Sequence, residues 1–145
     1  MLATTADRLI ALIESKPLIA IVDDDESVCR ALRRLVRSLI MDAETFTSGQ
    51  DFLDLLEAMP SFQPDCLILD VQMPGMNGLE LKNRLAIIGK TTPVIFITAY
   101  DEVGVRERAF AAGAVAFLRK PFNDELLIKT MHGALEGNRM GPQGS

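Results

Sequence analysis

No stretch of this sequence stays apolar for anything close to the roughly 20 residues that a membrane-spanning helix needs. The N-terminal run MLATTADRLIALIESKP carries Asp7, Arg8 and Glu14 through its apolar part, so it lacks the uninterrupted apolar core of a secretion signal. Cysteine is scarce too. Cys29 and Cys66 lie far apart, and neither belongs to a Cys-x-x-Cys or Cys-x-x-His pair, which removes support for a zinc site or a redox couple and leaves both as small buried hydrophobes. Histidine occurs once, as His132, within the last helical pattern, so the chain has no histidine in a setting suited to donating a phosphoryl group. Positive charge is in deficit as well: a net charge of −5 with a pI near 4.9 disfavours non-specific attraction to nucleic acid or an anionic membrane. The expectation is a cytoplasmic domain with no nucleic-acid or membrane partner of its own.

What is present suits one folded domain. A chain of 145 residues with 48% hydrophobic and 24% charged side chains has enough apolar material for a single core. Short apolar runs recur at 18 to 22 (LIAIV), 66 to 69 (CLIL), 94 to 97 (VIFI) and 114 to 118 (AVAFL), with a weaker candidate at 43 to 46 (AETF). Runs apolar at nearly every position suggest strands buried on both faces, as in a parallel sheet. Between them lie helical patterns. Over 27 to 39, Val28, Ala31, Leu32, Leu35, Val36 and Leu39 form one stripe and Arg30, Arg33, Arg34 and Arg37 another, so one side packs and the other meets solvent. Further helices are expected over 49 to 58, 77 to 88, 102 to 112 and 123 to 136, with Ser48 and Asn123 as N-caps. The alternation βαβαβαβαβα implies an α/β fold with right-handed crossovers and helices on both faces. Residues 1 to 16 stand outside it as an N-terminal extension, with a short helix over 4 to 14. Residues 17 to 136 form the domain, and 137 to 145 read as a flexible tail or an artificial remnant.

The polar residues then fall into a pattern. The strand runs end at Asp23, Asp24 and Asp25, at Asp70, at Thr98, and at Arg119 and Lys120. In an open parallel sheet these ends share one rim, where ligands bind. Clustered carboxylates raise one another's pKa unless a cation is present, and oxygen-only donors point to a hard ion such as magnesium or manganese. With a metal and an ammonium beside it, a carboxylate can attack phosphorus and become an aspartyl phosphate.

The stretches IVDDDESV, LILDVQMPGMNGLEL, PVIFITAY and FLRKPF, in that order and spacing, resemble the response regulator receiver domains of two-component signalling, nearest to the FixJ-like branch, over about residues 17 to 136. The resemblance implies a flavodoxin-like five-stranded parallel sheet of order 2-1-3-4-5. It implies Asp70 as phosphoacceptor, Asp23 and Asp24 as the acidic pocket, and a metal bound by Asp24, Asp70 and the backbone carbonyl of Gln72. Asp25 is left outside the site. Thr98 and Lys120 would bind the phosphoryl oxygens, Phe117 would be the switch aromatic, and the Lys120-Pro121 bond would be cis. Gln72 and Tyr100 would tune the lifetime of the phosphorylated form. A sensor histidine kinase is the implied donor, with the helix over 27 to 39 as a docking face. Two routes to a homodimer are open: the face of the fourth and fifth receiver helices, over 102 to 112 and 123 to 136, or the N-terminal helix. FixJ-like relatives usually carry a helix-turn-helix output domain that nothing here matches, so transcription regulation would belong to a full-length form.

Two bonds from Thr98 and Lys120 to a charged phosphoryl group, at about 1.5 to 3 kcal/mol each, would roughly match the ~5.5 kcal/mol that inverts a 1:99 equilibrium. Two rival functions follow the same residues. A haloacid dehalogenase type hydrolase would form the same intermediate, but would need a second aspartate where this chain has Gln72, and an amide does not shuttle protons. A phosphorylation-independent binding module would have no use for the full acid, hydroxyl and ammonium set.

Overall fold

The computed structural model describes residues 4 to 14, 16 to 100 and 102 to 140. Its elements run α1 (Thr5–Glu14), β1 (Leu18–Val22), α2 (Glu26–Ser38), β2 (Asp42–Phe46), α3 (Gly49–Ala58), β3 (Cys66–Asp70), α4 (Gly78–Ile87), β4 (Val94–Thr98), α5 (Val105–Ala111), β5 (Ala116–Arg119) and α6 (Asp124–Met140). The strands form one parallel sheet of order β2-β1-β3-β4-β5, as the resemblance implied. Alternate residues of each strand feed opposite cores. Ile19, Ile21, Ile68, Ile95 and Ile97 pack against α2 and α6, while Ala20, Val22, Leu67, Leu69 and Phe96 pack against α3, α4 and α5. Both faces are covered over the inner strands, which is why β1, β3 and β4 read as unbroken apolar runs, whereas β2 at the sheet edge exposes Asp42 and Glu44. Each fully buried side chain of this size is stabilising by about 1.5 to 3 kcal/mol relative to exposure.

The helix starts follow side-chain caps. Asp25 accepts from the N–H of Ser27 at 2.9 Å, Ser48 from Asp51 at 3.1 Å, Asn77 from Glu80 at 2.9 Å and Asn123 from Leu126 at 2.7 Å. Each satisfies an N–H that the first helical turn leaves without a partner. In α2, Cys29 is buried and Ala31 exposed, so the packed stripe is rotated slightly from the one expected. The helix expected over 102 to 112 is shorter: α5 starts at Val105, because Gly104 before it sits at φ 85° and offers no capping side chain. The strand expected over 114 to 118 begins two residues later. The Ala114 N–H is taken by the Ala109 carbonyl at the end of α5 (3.1 Å), so Ala114 finishes a helix rather than opening a strand.

At the other end, α6 continues to Met140, past the boundary expected at 136. Gly137 lies inside it, and a helical glycine costs only about 1 kcal/mol relative to alanine, too little to stop an established helix. The rest of the expected tail, from 141 on, lies outside the described residues, as do 1 to 3 and 15 of the N-terminal extension. Helix α1 is closed by a reciprocal pair at its start, Thr4 N–H to the Asp7 carboxylate (3.1 Å) and Asp7 N–H to the Thr4 hydroxyl (3.0 Å), which lowers the Asp7 pKa. Leu9 and Ile10 on α1 are exposed.

One residue is held against its preference. Ile40, just after α2, has φ 61°, a left-handed conformation that crowds a branched Cβ, and its side chain is 74% exposed. Ile40→Gly therefore relieves strain without losing buried area. We expect it to raise stability by about 0.5 to 1 kcal/mol, after subtracting the glycine's extra unfolded-state entropy, read as a higher midpoint in urea unfolding.

Candidate functional site

The described residues bury only three polar or charged side chains: Asp23, Asp70 and Thr98. All three sit at the carboxyl ends of neighbouring strands, just past β1 and as the last residues of β3 and β4. Their carboxyl-end rim is reached by Lys120, immediately after β5. Its ammonium lies 2.6 Å from Asp23 Oδ2 and 3.7 Å from Asp70 Oδ1, and its backbone N–H donates to the Thr98 carbonyl at 2.7 Å. The Lys120-Pro121 peptide bond is cis.

Each carboxylate oxygen of Asp23 has a protein partner. Besides Lys120, its Oδ1 accepts the Asp25 N–H at 2.9 Å. Asp24 is exposed beside it, and one carboxylate oxygen from each of Asp23, Asp24 and Asp70 lies within 4.8 Å of the others. This donor set fits a hard divalent ion, since every donor is a carboxylate oxygen and one ammonium, from Lys120, stands against the three acids. Asp25 is turned away into the α2 cap, where bonds from the Ser27 hydroxyl and N–H lower its pKa; it is a structural residue.

The electrostatics single out Asp70. Burial, followed by the like charge of Asp23, pushes its pKa from 3.8 up to about 7, against the opposing pull of Lys120 and the Gln72 N–H. A buried carboxyl beside other acids resists ionising until a cation arrives. By contrast Cys66, wholly buried in the sheet, has its thiol pushed up to about 12, which removes it from reactive chemistry.

Thr98 Oγ1 is already occupied: it donates to the Tyr100 carbonyl at 3.0 Å and accepts the Tyr100 N–H at 3.1 Å. The Tyr100 side chain is 63% exposed at the rim, and Gln72 is exposed two residues past Asp70. Phe117 lies opposite Phe96 in the β4 to β5 register and is only 7% exposed. The site thus brings Asp23, Asp24, Asp70 and Lys120 together, with Thr98 on the neighbouring strand end, while Tyr100 and Gln72 border it. A groove of about 1080 Å³, lined by α4, α6, the loop before β4 and the turn leading into β5, contains none of these residues.

Sequence reasoning passed over Gly78. A Cβ there would stand 3.1 Å from the Asp70 carbonyl carbon and from Val71 Cα, and closer still to the Asp70 carbonyl oxygen. The start of α4 thus rests directly on the backbone that carries Asp70, fastened by the Gly78 N–H to the Val71 carbonyl (2.9 Å). The legible signal was a glycine placed straight after an N-cap asparagine, where helix propensity argues against it.

Residues 19–132 match the response regulator receiver domain family. The chain is 38% identical over 130 residues to the response regulator protein TmoT of Ectopseudomonas mendocina, covering 90% of this chain and 56% of that one. Among solved structures it is 61% identical to a response regulator receiver protein from Burkholderia phymatum, with a TM-score of 0.77 over 83% of this chain and 96% of that one. The crystal structure titled FixJ-N is 31% identical with a TM-score of 0.76, over 84% and 95%. Receiver domains of this family are signalling modules of two-component systems. The chain belongs to the response regulator receiver domain family. It spans about half the length of the curated relatives it matches. No helix among the described residues is long and apolar enough to cross a membrane.

Proposed function

We propose that this cytoplasmic receiver takes a phosphoryl group onto Asp70 from a sensor histidine kinase and passes the state on through its surface. The observation that carries the reading is the convergence of the three buried polar residues and Lys120 on one rim. An Asp70 oxygen forms the new bond to phosphorus as the bond from phosphorus to the donor imidazole breaks. Asp24, Asp70 and the Gln72 carbonyl would hold magnesium or manganese, which when bound offsets negative charge on the transferring oxygens. Lys120 pairs with one phosphoryl oxygen, and the Thr98 hydroxyl donates to another. Gln72 and the exposed Tyr100 border the path of attacking water and set the lifetime. The basic stripe of α2, with Arg30, Arg34 and Arg37 exposed and Arg33 half-buried, offers the kinase a docking face. Self-association through the α5 and α6 face, and an output domain in a longer protein, belong to the same reading.

Both phosphoryl-binding groups must first give up partners. Thr98 leaves the Tyr100 backbone and Lys120 weakens its pair with Asp23. The net gain is therefore smaller than two full charged bonds, and phosphorylation tilts the domain without inverting it completely. Thr98→Ala is expected to leave Asp70 phosphorylation in place while shrinking the amide shift changes across residues 98 to 120, checked by NMR before and after phosphorylation.

Incubation with magnesium and acetyl phosphate, followed by intact-mass measurement, tests the reading. A single long-lived adduct supports a receiver. Rapid repeated turnover would instead indicate a hydrolase of haloacid dehalogenase type, and the absence of any adduct a phosphorylation-independent module.

A further inference from the structure

We propose that Arg106 is a positioning residue for the Phe117 ring, holding it in the buried position before any phosphoryl group arrives; this rests on the reading of Phe117 as the switch aromatic. The Arg106 guanidinium lies 5.5 Å from the centre of the Phe110 ring and 5.8 Å from that of Phe117. Arg106 and Phe110 are four residues apart on α5, so they share one side of that helix. Val105 and Ala109 of the same helix are buried in the core that contains Phe117. The arrangement is a cation set between two rings, one fixed to α5 and the other to β5.

Ring burial alone does not account for it. Phe110 is 42% exposed and Arg106 is exposed, so apolar packing holds neither of them tightly. A guanidinium is a weakly hydrated, delocalised cation that gains from lying over ring faces. When Phe117 swings outward, the contact to its ring is lost while that to Phe110 remains. The cation therefore favours one ring position over the other, which is the condition for biasing a two-state element. The β5 ring and the Asp70 rim are joined through β4, where Phe96 opposes Phe117 two residues before Thr98. A bias toward the inward ring thus keeps the domain partly in its responsive form without phosphate, and Asp70 accepts phosphorus more readily. Linkage then requires that phosphorylation, at equilibrium, favours the inward ring by the same factor by which the inward ring favours phosphorylation.

The test uses the full chain with ring-labelled phenylalanine. NMR reads the inward and outward Phe117 populations, and intact mass reads Asp70 phosphorylation by acetyl phosphate and magnesium. An exposed cation–π contact predicts a change of about two- to fivefold in the ring ratio. Arg106→Met keeps the apolar stem but removes the cation, and is expected to shift the ring outward by that factor and slow phosphorylation with it. Arg106→Lys is expected to restore part of both. Unchanged ring populations in Arg106→Met, with phosphorylation of the parent chain intact, would overturn the Arg106 role and leave the receiver reading standing. So would equal losses in the Met and Lys variants. If the parent chain forms no Asp70 adduct, the receiver reading fails, and the ring ratio of the unphosphorylated variants still decides whether Arg106 positions Phe117.

Discussion

Asp70→Asn is expected to abolish the phosphoryl adduct and, in the same protein, to make the metal-free fold more stable above neutral pH. The two effects share one cause. The folded carboxyl has its pKa raised from 3.8 to about 7 by burial and by Asp23, whereas the unfolded one keeps the ordinary value. Below 3.8 both forms hold the proton and the carboxyl contributes no penalty. As pH rises from 3.8 to 7 the unfolded chain releases its proton first, so the folded state binds more protons and stability falls with pH. Above about 7 the penalty is complete and the curve flattens.

Full conversion at ~1.36 kcal/mol per pKa unit would give about 4 kcal/mol. Solvent at the open side of the rim screens the charges, and about 1 to 2 kcal/mol is the expected remainder. Urea unfolding of the parent chain with chelator, from pH 4 to 8, should therefore show a downward slope that Asp70→Asn lacks. Magnesium should remove most of the penalty above pH 7 in the parent and have little effect in the variant, because ion binding to the folded state is stabilising only where the ligands remain. A parent curve that rises through this window would refute the electrostatic account of the site.

The second large effect is expected at Gly78. In Gly78→Ala the new methyl meets the Asp70 carbonyl group and Val71 Cα, all of them backbone atoms, so no side-chain rotation makes room. Overpacking of this kind costs about 1 to 3 kcal/mol. The larger consequence is displacement of the acid. Moving a reacting group by about 1 Å can reduce rates on the order of 100-fold, and Asp70 phosphorylation is expected to slow by about that factor, although every side chain of the acidic site is still present. Gly133→Ala serves as the control. It lies on α6 with nothing within 4 Å of its added Cβ, and is expected to stabilise the helix by about 0.5 to 1 kcal/mol with an unchanged phosphorylation rate. Comparable rates in Gly78→Ala and the control would show that α4 does not position Asp70.

Much of this architecture was legible along the chain. The apolar runs marked β1, β3 and β4 because strands buried on both faces carry no alternation to hide them. The caps at Ser48 and Asn123 are local chemistry, settled within three residues, and a linear reading finds them. Boundaries governed by less local events were less legible. Ala114 looked like strand until the end of α5 claimed its N–H, and α5 lost its expected first turn where Gly104 takes a left-handed conformation. The acids and the lysine were visible as strand-terminal residues. Their state was not: that Thr98 already spends its hydroxyl on Tyr100, or that Lys120 stands closer to Asp23 than to Asp70, depends on where side chains from distant segments come to rest.

The sequence by itself determined which residues meet at the rim, because strand-length apolar runs that alternate with helices leave a parallel sheet as the best solution, and such a sheet gathers its carboxyl ends. Tertiary structure alone decided how that rim is tuned. The depth at which Asp70 is buried, the pressure of Gly78 on its backbone and the Arg106 cation between two rings all arise from contacts between segments far apart in the chain. Their physical source is close packing: with so little free volume, atoms brought together by the fold set one another's charge, position and freedom to move.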